Sequence, residues 1–327
     1  MHRPDLADLA AALHVVAIPM RVRFRGVTTR EVALLDGPAG WGEFGPFPEY
    51  APPEAARWLA AAVEAAWDGW PEPARQSIPV NATLPAVSPD RVPEILARFP
   101  GTTTVKVKVA EPGQRLTDDL DRVAAVRDAL GADGLIRVDA NGGWSVEEAR
   151  GALTRLSAYG LDYAEQPCAT VEELADLRRR LARDGTDVRI AADESIRKAE
   201  DPLRVRDLEA ADIIVVKVAP LGGVRAALRV VQECGLPAVV SSALDTSVGI
   251  AAGVALAAAL PDLPYACGLG TVALLEGDVT TDSLLPENGA LSVRRVVPDP
   301  ALLARHAAPP DRRRWWAERL EACAAYL

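Results

Sequence analysis

In this 327-residue sequence, residues able to do acid–base or metal chemistry recur at one kind of place, the end of a short apolar run. Lys106 and Lys108 close TTTVKVKV. Asp139 closes GLIRVDA, with Asn141 just behind it. Glu165 closes LDYAEQP, Asp193 closes VRIAADE, and Lys217 closes ADIIVVKV. A single acidic residue after a strand is often only the N-cap of the next helix. Three on successive segments would gather about three negative charges in one small volume. That arrangement is costly unless a cation neutralises it. An all-oxygen donor set suits a hard ion, Mg²⁺ with Mn²⁺ as a substitute. Lys106 and Lys108, two apart on a strand, face the same side. Their proximity is expected to depress one another's pKa and favour a neutral amine, as a general base requires. Lys217 arrives from the far side.

The rest of the composition removes competing chemistries. Histidine occurs only at His2, His14 and His306, near the chain ends. This argues against a histidine-ligated zinc site and a central Ser-His-Asp triad. The formal charge of −10, from 36 basic and 46 acidic residues, disfavours nucleic acid as a partner. The expected partner is a small-molecule carboxylate. No run of about 18 apolar residues predicts a membrane span. The opening MHRPDLADLAAALHVV lacks the pattern of a signal peptide, so a cytoplasmic protein is expected. Cys168, Cys234, Cys267 and Cys323 have no CxxC spacing and read as reduced, mostly buried thiols.

These residues need elements to position them. From residue 79 to about 280, eight strand candidates, IPVNATL, TTTVKVKV, GLIRVDA, LDYAEQP, VRIAADE, ADIIVVKV, PAVVSSA and PYACGLG, alternate with helical ones, among them SPDRVPEILARF and DPLRVRDLEA. A βα repeat of roughly 25–30 residues closes most simply into a TIM-type (β/α)₈ barrel, whose catalytic groups sit at the C-terminal ends of the strands. An open doubly wound sheet would want a glycine-rich turn after its first strand, which NATLPAVSP lacks. Ser145 with Glu148 three later predicts a capping box. Residues 1–78 read as a small α+β cap. HVVAIPMRVRF and TTREVALLD are strands around Gly26, GPAGWGEFGPFPEYAPP is a loop, and PEAARWLAAAVEAAWDGW is a helix. Residues 281–327 are expected to return to the cap, with LSVRRVVPDP as one strand and RRRWWAERLEACAAYL as a helix. The run Arg312 to Arg314 reads as a solvated face.

The capping piece, the KxK strand, DAN, EQP, DES and a later lysine together resemble the enolase superfamily, in particular the subgroup that includes muconate-lactonizing enzymes. The resemblance covers nearly the whole chain. It implies Asp139, Glu165 and Asp193 as ligands of Mg²⁺, Lys108 as general base with Lys106 beside it, and Lys217 as the opposing lysine. Within the subgroup the chain is most similar to the o-succinylbenzoate synthase family, on Arg137 in RVDAN and the compact length. That likeness implies a carbon–oxygen lyase of menaquinone biosynthesis. The reaction would be syn dehydration of 2-succinyl-6-hydroxy-2,4-cyclohexadiene-1-carboxylate to 2-succinylbenzoate. The alternative is an N-acylamino acid racemase or dipeptide epimerase using the same metal and lysines. Dipeptide epimerases carry an Asp-x-Asp on the eighth strand, where this chain has Gly268, Leu269 and Gly270. Arg137, Asn141, Ser241, Ser242 and Gly268 to Gly270 are the candidate substrate contacts. Cap loops around Pro19–Arg30 and Gly45–Tyr50 would close over the substrate.

Overall fold

The computed structural model describes residues 4–24, 26–197 and 202–327. His2, Arg25 within the first cap loop, and Asp201 at the head of the expected DPLRVRDLEA helix lie outside them. The cap is a three-stranded antiparallel sheet, β1 (Leu13–Phe24), β2 (Val27–Gly37) and β3 (Gly40–Phe44). β3 corrects the expectation of a loop over GPAGWGEFGPF. The glycines flanking the β2–β3 turn answer to packing. A Cβ on Gly42 would stand 2.1 Å from the Ala62 carbonyl oxygen, and one on Gly37 would stand 2.3 Å from that of Ala66. The sheet edge thus rests directly on the backbone of the helix Pro52–Val63 and the π-helical turn Glu64–Asp68 that extends it.

The chain then builds the barrel. β4 (Ser77–Pro79) is followed by seven parallel strands in sequential order: β5 (Ala82–Leu84), β6 (Thr104–Lys108), β7 (Leu135–Asp139), β8 (Leu161–Glu165), β9 (Ile190–Ala192), β10 (Ile213–Val216) and β11 (Ala238–Val240). The expected eighth strand, PYACGLG, is reduced to two parallel bridges, Val80 with Cys267 and Ser241 with Gly268, which join the first stave to the seventh. IPVNATL divides at Val80. Its first part leaves the barrel to pair, as β4, with β12 (Ala290–Ser292) of the tail. Inside the ring, Tyr163, Ala191, Ile213, Val215 and Val239 pack together beneath the site. Alternate residues face outward to the helices. The helix Ser247–Ala259 is apolar on nearly every side and is buried along its length.

Five helices of 11 to 15 residues clothe the barrel: Leu116–Leu130, Val146–Leu156, Val171–Asp184, Val224–Cys234 and Ser247–Ala259. The capping box forms, with Glu148 accepting from the Ser145 amide at 2.9 Å. The expected SPDRVPEILARF helix is only a 3₁₀ turn and Val92–Leu96, and DPLRVRDLEA yields Arg204–Asp207. The last helix, Pro310–Ala324, packs on the Pro52–Val63 helix and β1. It buries Trp316, whose Nε1 donates to Glu31 at 3.0 Å. Arg312 also reaches Glu31, whereas Arg313 and Arg314 are exposed. All four cysteines are buried free thiols. Among the described residues no helix is long and apolar enough to cross a membrane.

Candidate active site

The register of the parallel strands sets the site. Lys108 on β6 is level with Asp139 on β7, which is level with Glu165 on β8. Lys106 stands one inward-facing position lower, level with Arg137. All these side chains are buried, as are Asp193 and Lys217. Lys106 Nζ donates to Glu165 Oε1 and Oε2 at 2.8 and 2.9 Å and lies 3.2 Å from Asp139 Oδ2. Lys108 Nζ donates to Asp139 Oδ2 and Asn141 Oδ1, each at 2.5 Å. Lys217, from β10 across the ring, donates to Asp193 Oδ2 at 2.6 Å. One cavity is lined by Lys106, Lys108, Asp139, Asn141 and Lys217, with Thr83, Ser241, Ser242, Gly268 and Thr271 as walls and Phe24 and Phe47 of the cap above.

Burial disfavours every charge here, and the partners decide the outcome. For Asp139, Lys108 and Lys106 outweigh burial and hold the carboxyl well below the usual carboxylate range. Lys217 and Arg197 do the same for Asp193 against its burial. Burial together with the Asp139 carboxylate lifts Glu165 to about 7. For Lys106, the Glu165 and Asp139 carboxylates outweigh burial and hold the ammonium above its ordinary value. For Lys106 this differs from the expected depression, because its ammonium sits against two carboxylates. Burial lowers Lys217.

Several residues that the sequence did not single out shape the site. Arg197 Nε grips Asp193 Oδ1 at 3.0 Å, and its Nη1 donates to the cap's Tyr50 hydroxyl at 3.3 Å. Gln166 Oε1 accepts from the amides of Asp193 and Ser195 at 2.9 and 3.2 Å, fixing the turn that carries Asp193. Gln166, and with it the candidate contact Asn141, sits at positive φ, +38° and +47°, an uncommon conformation for side-chain-bearing residues and one found often at functional turns. Neither role has a sequence signal beyond position after a strand.

The structure does not bring every candidate contact into the cavity. Arg137 is fully buried on the barrel floor. Its Nε donates to Asp162 Oδ2 at 2.8 Å, its Nη1 donates to the Ala266 carbonyl at 2.6 Å, and its guanidinium lies 4.7 Å from the Tyr163 ring centre. Leu269 points outward, where a Cβ on Gly253 would come within 2.5 Å of its Cδ2. Gly270 faces Phe99 and the Asn81 carbonyl. Ser242 is in place, its Oγ donating to the Gly268 carbonyl at 2.8 Å.

For a hard divalent cation the donor chemistry fits: three carboxylates from adjacent stave ends, with no histidine or cysteine between them. As the side chains stand, lysines and Arg197 engage these carboxylates. Among the described residues no three acidic, histidine or cysteine groups are gathered to metal-ligand spacing.

A parallel barrel with buried lysines and carboxylates at the C-terminal ends of its strands, under an α+β cap, defines a class. Residues 15–66 match the enolase N-terminal domain-like family and residues 94–299 the enolase C-terminal domain-like family. The chain belongs to the enolase superfamily and is an enzyme. It is 60% identical to the o-succinylbenzoate synthase of Mycolicibacterium smegmatis over 99% of this chain and 98% of that one. It is 59% identical to that of Mycobacterium leprae over 99% and 95%. Among solved structures, the muconate lactonizing enzyme of Pseudomonas putida shares the fold at a TM-score of 0.75 and 22% identity, covering 90% of this chain and 98% of that chain. An L-Ala-D/L-Glu epimerase from Bacillus subtilis aligns at a TM-score of 0.72 and 23% identity, covering 88% and 96%.

Proposed function

We propose that this chain is an o-succinylbenzoate synthase, which dehydrates 2-succinyl-6-hydroxy-2,4-cyclohexadiene-1-carboxylate to 2-succinylbenzoate. The carrying observation is that Lys108 and Lys217 line one cavity from staves on opposite sides of the ring. Relatives of that name, about 60% identical over nearly the whole chain, support the reading.

In this mechanism the neutral amine of Lys108 takes the proton α to the ring carboxylate. The electron pair left on carbon forms the new ring double bond as the C–O bond breaks. The Lys108 ammonium returns its proton to the departing hydroxide on the same face, releasing water. Asp139 and Asn141 aim the Lys108 Nζ. Lys217 offers a cation to the opposite face of the ring. Asp139, Glu165 and Asp193 would hold Mg²⁺, or Mn²⁺ in its place, which when bound supplies positive charge to the substrate carboxylate as the α-proton leaves. Phe24 and Phe47 of the cap exclude water from above.

A second reading rests on the opposition of the lysines. Racemisation of an N-acylamino acid needs an acid and a base on opposite faces, which Lys108 and Lys217 would supply. The wall at the eighth stave is Gly268 and Thr271, without a carboxylate to pair a dipeptide ammonium. Assayed side by side with Mg²⁺, the purified protein should release 2-succinylbenzoate faster than it racemises N-succinylamino acids. The reverse ranking would move the assignment to the second reading. Lys108→Ala should slow dehydration by about 10²–10⁴-fold with an unchanged circular dichroism spectrum. Near-normal turnover would remove Lys108 as the base.

A further inference from the structure

The turn after β11, Ser241 to Asp245, contributes four residues to the cavity wall, Ser241 to Leu244. Its backbone is strained: Leu244 has φ +63°, a left-handed value costly for a branched side chain. Such a turn persists only where its surroundings over-determine it. Two buried cap residues do so here. Arg30, from β2, donates from Nε to the Leu244 carbonyl at 3.0 Å and from Nη2 to the Gly45 carbonyl. Its guanidinium stacks 4.8 Å from the Phe47 ring centre, so one side chain ties the cap loop that carries Phe47 to the barrel turn that carries Leu244. Glu43, from β3, accepts from the Thr246 hydroxyl at 2.5 Å and from the amides of Thr246 and Gly249 at 3.1 Å each. On the turn itself, Asp245 Oδ2 accepts from the Ala243 amide at 3.0 Å. The fit allows no slack. A Cβ on Gly249 would stand 2.7 Å from Asp245 Cβ and 2.9 Å from Glu43 Cδ.

We infer that Arg30 and Glu43 are positioning residues for the reaction: from the cap, they clamp the Ser241–Asp245 turn into the wall of the catalytic cavity. Neither side chain lines the space between Lys108 and Lys217. They act through Leu244, Phe47 and the backbone, so the cap's seat on the barrel and the shape of the substrate wall are set together. The kinetic half of this inference rests on the dehydratase reading; the conformational half does not. Burial and the neighbouring Asp245 carboxyl push Glu43 up to about 8, so an amide of the same shape is a close stand-in for it.

The test compares Glu43→Ala and Glu43→Gln in the full chain. It reads kcat and KM for dehydration and the hydrogen exchange of the amides of residues 243–249. Glu43→Ala should raise KM by about tenfold, lower kcat by less than about threefold, and speed exchange in that segment by about tenfold or more. Glu43→Gln should restore KM to within about threefold of the parent. Unchanged exchange in Glu43→Ala would overturn the clamp. So would a loss confined to thermal stability with KM intact, which is what a merely structural contact gives. Failure of the parent enzyme to dehydrate the substrate would instead strike the functional reading, and the exchange comparison would still decide the clamp.

Discussion

Arg137 and Asp139 lie two apart on β7 and so share its inward face, yet they work at different depths. Asp139 meets Lys108 at the mouth, while Arg137 reaches down to Asp162 at the start of β8. Asp162 is also held by Arg189, whose side chain is half exposed. Arg137→Met keeps the volume but removes the buried partner of Asp162. It should destabilise the fold by about 3 kcal/mol in urea unfolding, since losing the buried partner leaves Asp162 only the half-exposed Arg189. KM should stay near the parent value. A large rise in KM with unchanged stability would place Arg137 at the substrate after all. Alternation in RVDAN gives the face on which Arg137 lies. It does not give the layer, because depth depends on which neighbour accepts the long side chain. The lysines and carboxylates were legible because each ends an apolar run. Gln166 and Arg197 were not, because Gln166 holds a turn 27 residues on, and Arg197, besides Asp193 four residues back, reaches Tyr50 147 residues away.

At the scale of elements, the cap holds the barrel through two helix N-termini. Unpaired amides at such an end favour a carboxylate. Glu43 serves the helix Ser247–Ala259. Glu64, in the π-helical turn, accepts from the amides of Val224 and Arg225 at 2.5 and 3.1 Å and serves the helix Val224–Cys234. That helix has Gly223 at its N-cap, with φ +127°, and a Cβ there would stand 2.4 Å from Glu64 Oε2. Its cap thus comes from another part of the chain, where a local serine or aspartate would ordinarily do the work. Glu64→Ala should cost about 1–2 kcal/mol, the usual worth of a lost N-cap, read from the denaturation midpoint. A change within experimental error would mean that water replaces the carboxylate without loss. Sequence reading misses contacts of this kind because a capping box is recognised only at a spacing of three. It misses β3 for a related reason. Glycines that permit close packing look the same in sequence as glycines that permit a turn.

The whole molecule is acidic, at −10, yet the way into its site is not. A wide opening runs from Lys108 and Asn141 out beneath the β1–β2 hairpin, past Arg21, Arg23, Arg91 and Gln114, with Glu111 as its acidic member. The barrel with its cap was legible from the βα repeat and the chain order, because each is a periodicity. This channel was not, since it joins residues from the cap to the first three barrel loops. A substrate with two carboxylates would be repelled by the body of the protein and drawn to this rim. Arg23 is exposed on that rim. Arg23→Gln should therefore lower kcat/KM by about two- to fivefold at an ionic strength of about 0.01 M, where charges act over roughly 30 Å. The deficit should shrink towards none at about 1 M salt, where the range is roughly 3 Å, and kcat should hold throughout. A deficit that persists at high salt would mean that Arg23 touches the bound substrate. No deficit at low salt would mean that the rim does not steer.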